Sequence, residues 1–93
     1  GTGRVFTAET IIRRVERSVK RIGLEGKKDP LLVRVNPDVA MYVLEEESDF
    51  VKKLEKAVGF GLELRDDPLL RPDEFKLVVK AAGRDVTSKY AVA

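Results

Sequence analysis

The side chains in this sequence that could most readily do chemistry are the cations of its first third. Residues 1–28 carry a net charge of +5, whereas residues 29–93 carry −3. Such a local excess of Lys and Arg attracts phosphate groups or an acidic partner. A solvated helix surface is the alternative, because charge-rich helices are common in robust proteins. The candidate RNA-binding residues are Arg13, Arg14, Arg17, Lys20, Arg21, Lys27 and Lys28.

The residue types that are missing exclude several kinds of site. The chain has no Cys and no His, so it has no disulfide partner, thiolate ligand, cysteine nucleophile or histidine base. We therefore expect no metal ligand set and no catalytic residue in it. Hydrophobic residues at 43% and charged residues at 37% are typical of a folded domain. Membrane helices need about 20 consecutive apolar residues. No apolar run in this sequence approaches that length, so we expect no membrane segment.

Two acidic clusters are weak candidates for a metal or catalytic site. The first, Glu45 to Glu47 with Asp49, lies in a predicted helix, where consecutive side chains point in different directions and cannot converge. The second combines Asp66 and Asp67 with residues 73–74 in a polar loop. Such acidic loops are usually surface features, so neither cluster is assigned chemistry.

The basic residues are positioned by a predicted first helix, from about Ala8 to Ile22 with Gly23 as its stop. Its apolar residues recur at spacings of three and four, which places them on one face. Arg13, Arg17 and Arg21 form a row on another face. The apolar set that predicts the buried face is Ala8, Ile11, Ile12, Val15, Val19 and Ile22.

The rest of the chain predicts one central strand, two helices and two further strands. Residues 31–35 form a short apolar run typical of a buried strand. Asn36 and Pro37 then predict the start of a second helix, to about Glu47, and a third covers about 49–58. Alternation at 60–65 and 75–80 predicts an antiparallel pair joined by a long loop.

These elements predict one α+β domain of two layers, in the order α-β-α-α-β-β. A three-stranded mixed sheet with the helices packed on one face buries every apolar face. The domain is expected to cover residues 8–80. Residues 81–93 are expected to form an irregular C-terminal tail, with a final pairing near Tyr90 to Val92.

The segment Gly23-Leu24-Glu25-Gly26, with Lys27 and Lys28 after it, matches the G-x-x-G of KH RNA-binding domains. In a KH domain this loop lies between two helices, whereas here a strand is predicted to follow. A helix end with a turn is therefore favoured. An independent KH-like RNA-binding module, using this loop and the basic helix, stays as the alternative function.

Several segments, taken in order over about residues 1–80, resemble the small C-terminal domain of the ribonuclease E/G endoribonuclease family. In that family the domain follows a linker with paired zinc-binding cysteines. The segments that carry the resemblance are GTGRV at 1–5, TAET at 7–10, LVRV at 32–35, NPDVA at 36–40, LEEE at 44–47, LEL at 62–64 and EFKLV at 74–78.

The resemblance implies a parent that is a cytoplasmic, magnesium-dependent endoribonuclease (a hydrolase) that cleaves single-stranded RNA in RNA processing and decay. It implies that residues 1–7 are the remnant of the linker after the zinc-link. Magnesium and zinc then belong to the full-length parent, and this fragment holds no cofactor. Its expected role is assembly into a homodimer or homotetramer, with auxiliary RNA binding left open. By itself the fragment is not expected to be an enzyme.

Overall fold

The structure, a computed structural model, describes residues 8–90. In chain order the elements are α1 (Ala8–Leu24), β1 (Leu31–Val35), α2 (Pro37–Glu46), α3 (Phe50–Val58), β2 (Leu62–Asp66), β3 (Phe75–Val79), β4 (Arg84–Asp85) and α4 (Thr87–Tyr90). The predicted linker at 1–7 and positions 91 and 92 of the predicted final pairing lie outside the described residues. The assignment of residues 1–7 to a linker and of residues 8–80 to the domain stays a prediction.

The three long helices form where the apolar spacing predicts them. α1 continues one residue past the predicted stop, to Leu24, because Gly26 rather than Gly23 takes the left-handed conformation, with φ at +81°. α2 begins as predicted: the Asn36 side chain accepts the Asp38 N–H at 2.8 Å, and Pro37 follows the cap. No helix between residues 8 and 90 is long and apolar enough to cross a membrane.

The sheet has four strands in the order β2-β1-β3-β4, so β1 is central as its apolar run predicts. β1 pairs in parallel with β2 and antiparallel with β3, which confirms a mixed sheet. The predicted pairing of β2 with β3 is wrong, since the two strands lie on opposite edges of β1. Parallel strands need a long crossover, and α2 with α3 provides it. The 67–74 loop then passes from one edge of β1 to the other.

The helices cover one face of the sheet, as predicted. Leu31, Val33 and Val35 of β1 point into this layer and are buried, while Leu32 and Arg34 point to the open face. The core also contains the apolar face of α1 and residues of α2, α3, the turn before β2, β3 and α4: Ile11, Ile12, Val15, Val19, Ile22, Val39, Val43, Phe50, Leu54, Val58, Phe60, Phe75, Leu77 and Tyr90.

The expectation of a three-stranded sheet followed by an irregular tail is corrected by β4 and α4. β4 has only two residues and α4 only four, too short to show a hydrophobic period. They are held by tertiary contacts instead. The Thr87 hydroxyl accepts the Leu77 N–H at 2.7 Å, and the buried Tyr90 hydroxyl donates to Glu25 at 2.8 Å.

Leu77 gives a direct test of this packing, because it is fully buried whereas its neighbour Lys76 is exposed on the open face. Leu77→Ala should lower the free energy of unfolding by about 2–5 kcal/mol, through lost burial and a cavity. Lys76→Ala, the matched control, should change it by less than about 0.5 kcal/mol. Urea unfolding followed by circular dichroism measures both, and equal effects would contradict this sheet orientation.

Candidate interaction surfaces

The predicted RNA-binding residues do not form one patch, because some contact neighbouring elements while others are exposed. Arg17, Lys20 and Arg21 are exposed on the side of α1 that faces away from the core. Lys20 also pairs with Glu16 at 3.2 Å. These three side chains are the part of the predicted set that the structure brings together on one open surface.

Arg13 belongs to an interhelical network that sequence reasoning missed. Its guanidinium hydrogen-bonds Glu47, which follows α2, and lies 3.4 Å from Glu16. Glu47 also accepts the Tyr42 hydroxyl at 2.6 Å, and the Arg13 guanidinium carbon lies 5.9 Å from the centre of the Phe50 ring. Arg13 therefore ties α1 to the junction between α2 and α3. No local sequence signal distinguished Glu47 from the neighbouring Glu45 and Glu46.

This network shifts the pKa values of its members. The hydrogen bond from Tyr42, with that from Arg13, lowers the pKa of Glu47 against the opposing effect of burial. The same bond to Glu47 raises the pKa of Tyr42 to about 12. Both shifts mean that the network is most stable with a charged Glu47 and a neutral Tyr42.

The remaining basic residues are divided between other surroundings. Arg14 is half-buried and its guanidinium carbon lies 5.6 Å from the centre of the Phe75 ring, a cation–π contact that fixes it against β3. Lys28 donates to the Val58 carbonyl at 3.3 Å, at the end of α3. Lys27 is exposed. Of these three, only Lys27 has no contact that holds it to another element among the described residues.

The Gly23–Gly26 segment is the end of α1 and the turn toward β1, so it does not lie between two helices as a KH loop does. Gly26 N–H donates to the Gly23 carbonyl at 3.0 Å, and this closes the turn. A Cβ built on Gly23 would lie 3.3 Å from the Val58 Cβ. Gly23 is therefore explained by close packing of α1 against α3, without a role for phosphate.

The acidic clusters have structural partners. Asp67 pairs with Arg34 at 3.5 Å and accepts the Leu69 N–H at 3.0 Å, and Glu74 accepts the Arg71 N–H at 2.8 Å. Within residues 8–90, no group of three or more His, Cys, Asp or Glu side chains is arranged to hold a metal ion.

Two large apolar side chains of α2 are exposed. Met41 is 54% and Leu44 70% exposed, and both lie on the side of α2 opposite to the buried Val39 and Val43. Leu24 at the end of α1 and Leu69 in the 67–74 loop are also exposed, each as a single residue. Met41 and Leu44 are thus two exposed apolar side chains about one turn apart on the same helix.

The open face of the sheet is strongly charged. Glu63 of β2 accepts from Arg65 and, at 2.6 Å, from Lys80, and these bonds lower its pKa. In the sheet register Arg34 stands between Arg65 and Lys76. The alternation of charged and apolar residues in the sequence indicated this face, but the strand order was needed to show which charges are neighbours.

Together these features define a small α+β domain whose notable residues lie on surfaces: a basic helix side, an exposed apolar helix face and a charged sheet face. Its residues 1–81 match the family described as the RNase E/G thioredoxin-like domain. The chain therefore belongs to the RNase E/G family. This confirms the family that the sequence segments resemble.

Curated relatives agree with this family. The chain is 30% identical over 79 residues to the Ribonuclease G proteins of Escherichia coli (strain K12), Salmonella typhimurium (strain SL1344) and Shigella flexneri. Each match covers 85% of this chain and 16% of the relative. The chain thus spans only a small part of the length of these ribonucleases.

The Glu47 network predicts a loss of stability in acid. A carboxyl whose pKa is lower in the folded state stabilises the fold above its unfolded-state pKa, about 4.3, and this contribution is lost as the pH falls through the folded-state value. Glu47→Gln should therefore cost about 1–2 kcal/mol at neutral pH, since the network is part-exposed, and less in acid. Urea titrations between neutral and acidic pH measure this.

The matched control is Glu46→Gln, an exposed neighbour at the end of α2. It should leave both the stability and its pH dependence close to those of the parent chain. If the two variants are equally stable at neutral pH and share one pH dependence, Glu47 does not join α1 to the α2–α3 junction as described.

Proposed function

We propose that this chain is the small C-terminal domain of an RNase E/G-type endoribonuclease and that it holds subunits together. The parent cleaves single-stranded RNA in the cytoplasm during RNA processing and decay, with magnesium and zinc bound outside this chain. The chain itself supplies no catalytic group and assembles into a homodimer or homotetramer. Family membership and the 16% coverage of the Ribonuclease G relatives support this placement.

The exposed apolar face of α2 is the observation that carries the assembly proposal. Burying a large aliphatic side chain contributes about 1.5–3 kcal/mol. Met41 and Leu44 are exposed in the single chain, so covering them with a second chain would stabilise the assembly. Contiguous exposed apolar surface is typical of protein–protein contact sites. Leu62 and Leu64 of β2, which α2 contacts, are also only half-buried.

Self-association of the chain tests this proposal. We expect reversible dimers, and the double variant Met41→Lys/Leu44→Lys should weaken them by at least about tenfold, equivalent to 1.4 kcal/mol. Lysine places a charge where the apolar contact forms. Size-exclusion chromatography with light scattering, over a concentration series, measures the dissociation constant.

Leu24→Lys is the matched control, because Leu24 is 88% exposed but lies at the end of α1. It should dimerise like the parent chain. A parent chain that stays monomeric at the highest concentration would contradict the assembly role, and an unaffected double variant would exclude α2 as its surface.

Auxiliary RNA binding is the second proposed function, and the exposed side of α1 favours it. Arg17, Lys20 and Arg21 lie within two turns on one open surface. Cations spaced along one helix side can follow a phosphate backbone, and such binding is sequence-tolerant and sensitive to salt. Arg13 and Arg14, which contact Glu47, Phe50 and Phe75, take no part in it.

Charge reversal tests the RNA surface. Arg17→Glu/Arg21→Glu should weaken binding of single-stranded RNA by at least about tenfold and reduce the dependence of affinity on salt, because fewer counterions are released. Lys52→Glu/Lys56→Glu, with the same spacing on the exposed side of α3, is the control and should bind like the parent chain. Fluorescence anisotropy at low salt measures both, and equal losses would argue against α1 as a defined site.

A further inference from the structure

β2 is an edge strand whose outer side has almost no hydrogen-bond partners. On its inner side, the Gly61 carbonyl accepts from Leu31 at 3.0 Å and Asp67 N–H donates to Val35 at 2.7 Å. Because alternate residues of a strand face the same neighbour, the backbone groups of Leu62, Leu64 and Asp66 point outward. Such an edge is a template for another strand.

The helices cover this edge only at one end. Leu62 N–H donates to the Glu55 carboxylate of α3 at 2.8 Å. Among residues 8–90, the outward backbone groups of Leu64 and Asp66 have no hydrogen-bond partner. The half-buried Leu64 side chain lies on the helix side, opposite the buried Val33 of β1, so the core is itself open at this edge.

The sequence around Leu64 is self-complementary in charge. If a second copy of β2 pairs antiparallel with Leu64 opposite its counterpart, Glu63 of each copy stands opposite Arg65 of the other. The outward backbone groups of Leu64 then face those of its counterpart, and Asp66 lies opposite Leu62, whose N–H is bound to Glu55 in the single chain. Both charged side chains lie on the open face, where opposite charges at closely spaced positions attract.

Neighbouring registers are disfavoured. If the second copy shifts by two residues so that Glu63 lies on the two-fold axis, Glu63 stands opposite Glu63. A shift of two residues in the other direction puts Arg65 on the axis and opposite Arg65. Like charges directly opposite each other are destabilising. The charge pattern therefore selects one register out of those in which the outward backbone groups can pair.

We propose that two copies of this chain associate edge to edge through β2, antiparallel about Leu64, to form one continuous eight-stranded sheet from the two four-stranded sheets. The proposal rests on the proposed assembly function and names its surface and symmetry. α2 and α3 both contact β2, so both helices lie in the part of the helix layer nearest the two-fold axis.

Charge exchange tests the register. Glu63→Arg alone and Arg65→Glu alone should each weaken the homodimer by at least about tenfold, because each places like charges opposite each other. An equimolar mixture of the two variants should form a heterodimer close to the parent affinity, since both contacts become opposite in sign. The doubly exchanged chain, Glu63→Arg/Arg65→Glu, should recover the homodimer. Native mass spectrometry separates these species.

Lys76→Glu is the matched control, because Lys76 lies on the same open face but on β3. It should dimerise like the parent chain. If the parent dimerises and neither single variant is weaker, or if the mixture fails to restore association, edge pairing is overturned while the assembly function stands. A parent chain that is monomeric at every concentration overturns both.

Cross-linking gives a second measurement that does not depend on charge. The chain has no Cys, so Leu64→Cys introduces a single thiol, and Cα atoms about 5.5 Å apart across the two-fold axis permit a disulfide. Mild oxidation should give a covalent dimer. Ser88→Cys, exposed on α4 near the other sheet edge, should give far less. Equal yields would overturn the proposal, and melting temperatures show that each variant is folded.

Discussion

The position of β1 between two partner strands is the constraint on which the rest of the domain depends. β1 pairs with β2 on one side and β3 on the other, and its alternate side chains Leu31, Val33 and Val35 are buried beneath the helices. Because each residue of β1 is fixed in register to two neighbours, the positions of α2, α3 and the 67–74 loop follow from it. The covered face becomes the core, and the other face stays charged.

The charged residues of α1 have two kinds of surroundings. Arg13 reaches Glu47 and Phe50, and Arg14 lies over Phe75, so both stabilise contacts between elements. Arg17 and Arg21 continue the i, i+4 row that begins at Arg13 and are more exposed than Arg13. The basic residues of α1 are therefore partly structural, and the exposed Arg17, Lys20 and Arg21 are those proposed for RNA binding.

The proposals share one physical basis, which is that the single chain leaves favourable contacts unused. Met41 and Leu44 are exposed on α2, and the outer edge of β2 has free backbone groups next to the half-buried Leu64. Hydrophobic burial and backbone pairing both become available when another chain covers these surfaces. Charges at Glu63 and Arg65 protect the edge from indiscriminate pairing, because only one register brings opposite signs together.

The sequence by itself determined the local elements: the buried side of α1, the cap at Asn36 and the apolar run of β1 depend on periodicity and on neighbouring residues, and the structure confirms them. The residues of several segments, and the order of those segments along the chain, also indicated the family. Only the tertiary structure decided that β2 and β3 flank β1, that residues 84–90 add a strand and a helix, and that Arg13 meets Glu47. These features depend on contacts between residues distant in sequence. The stabilisation from such contacts cannot be inferred from periodicity or from neighbouring residues.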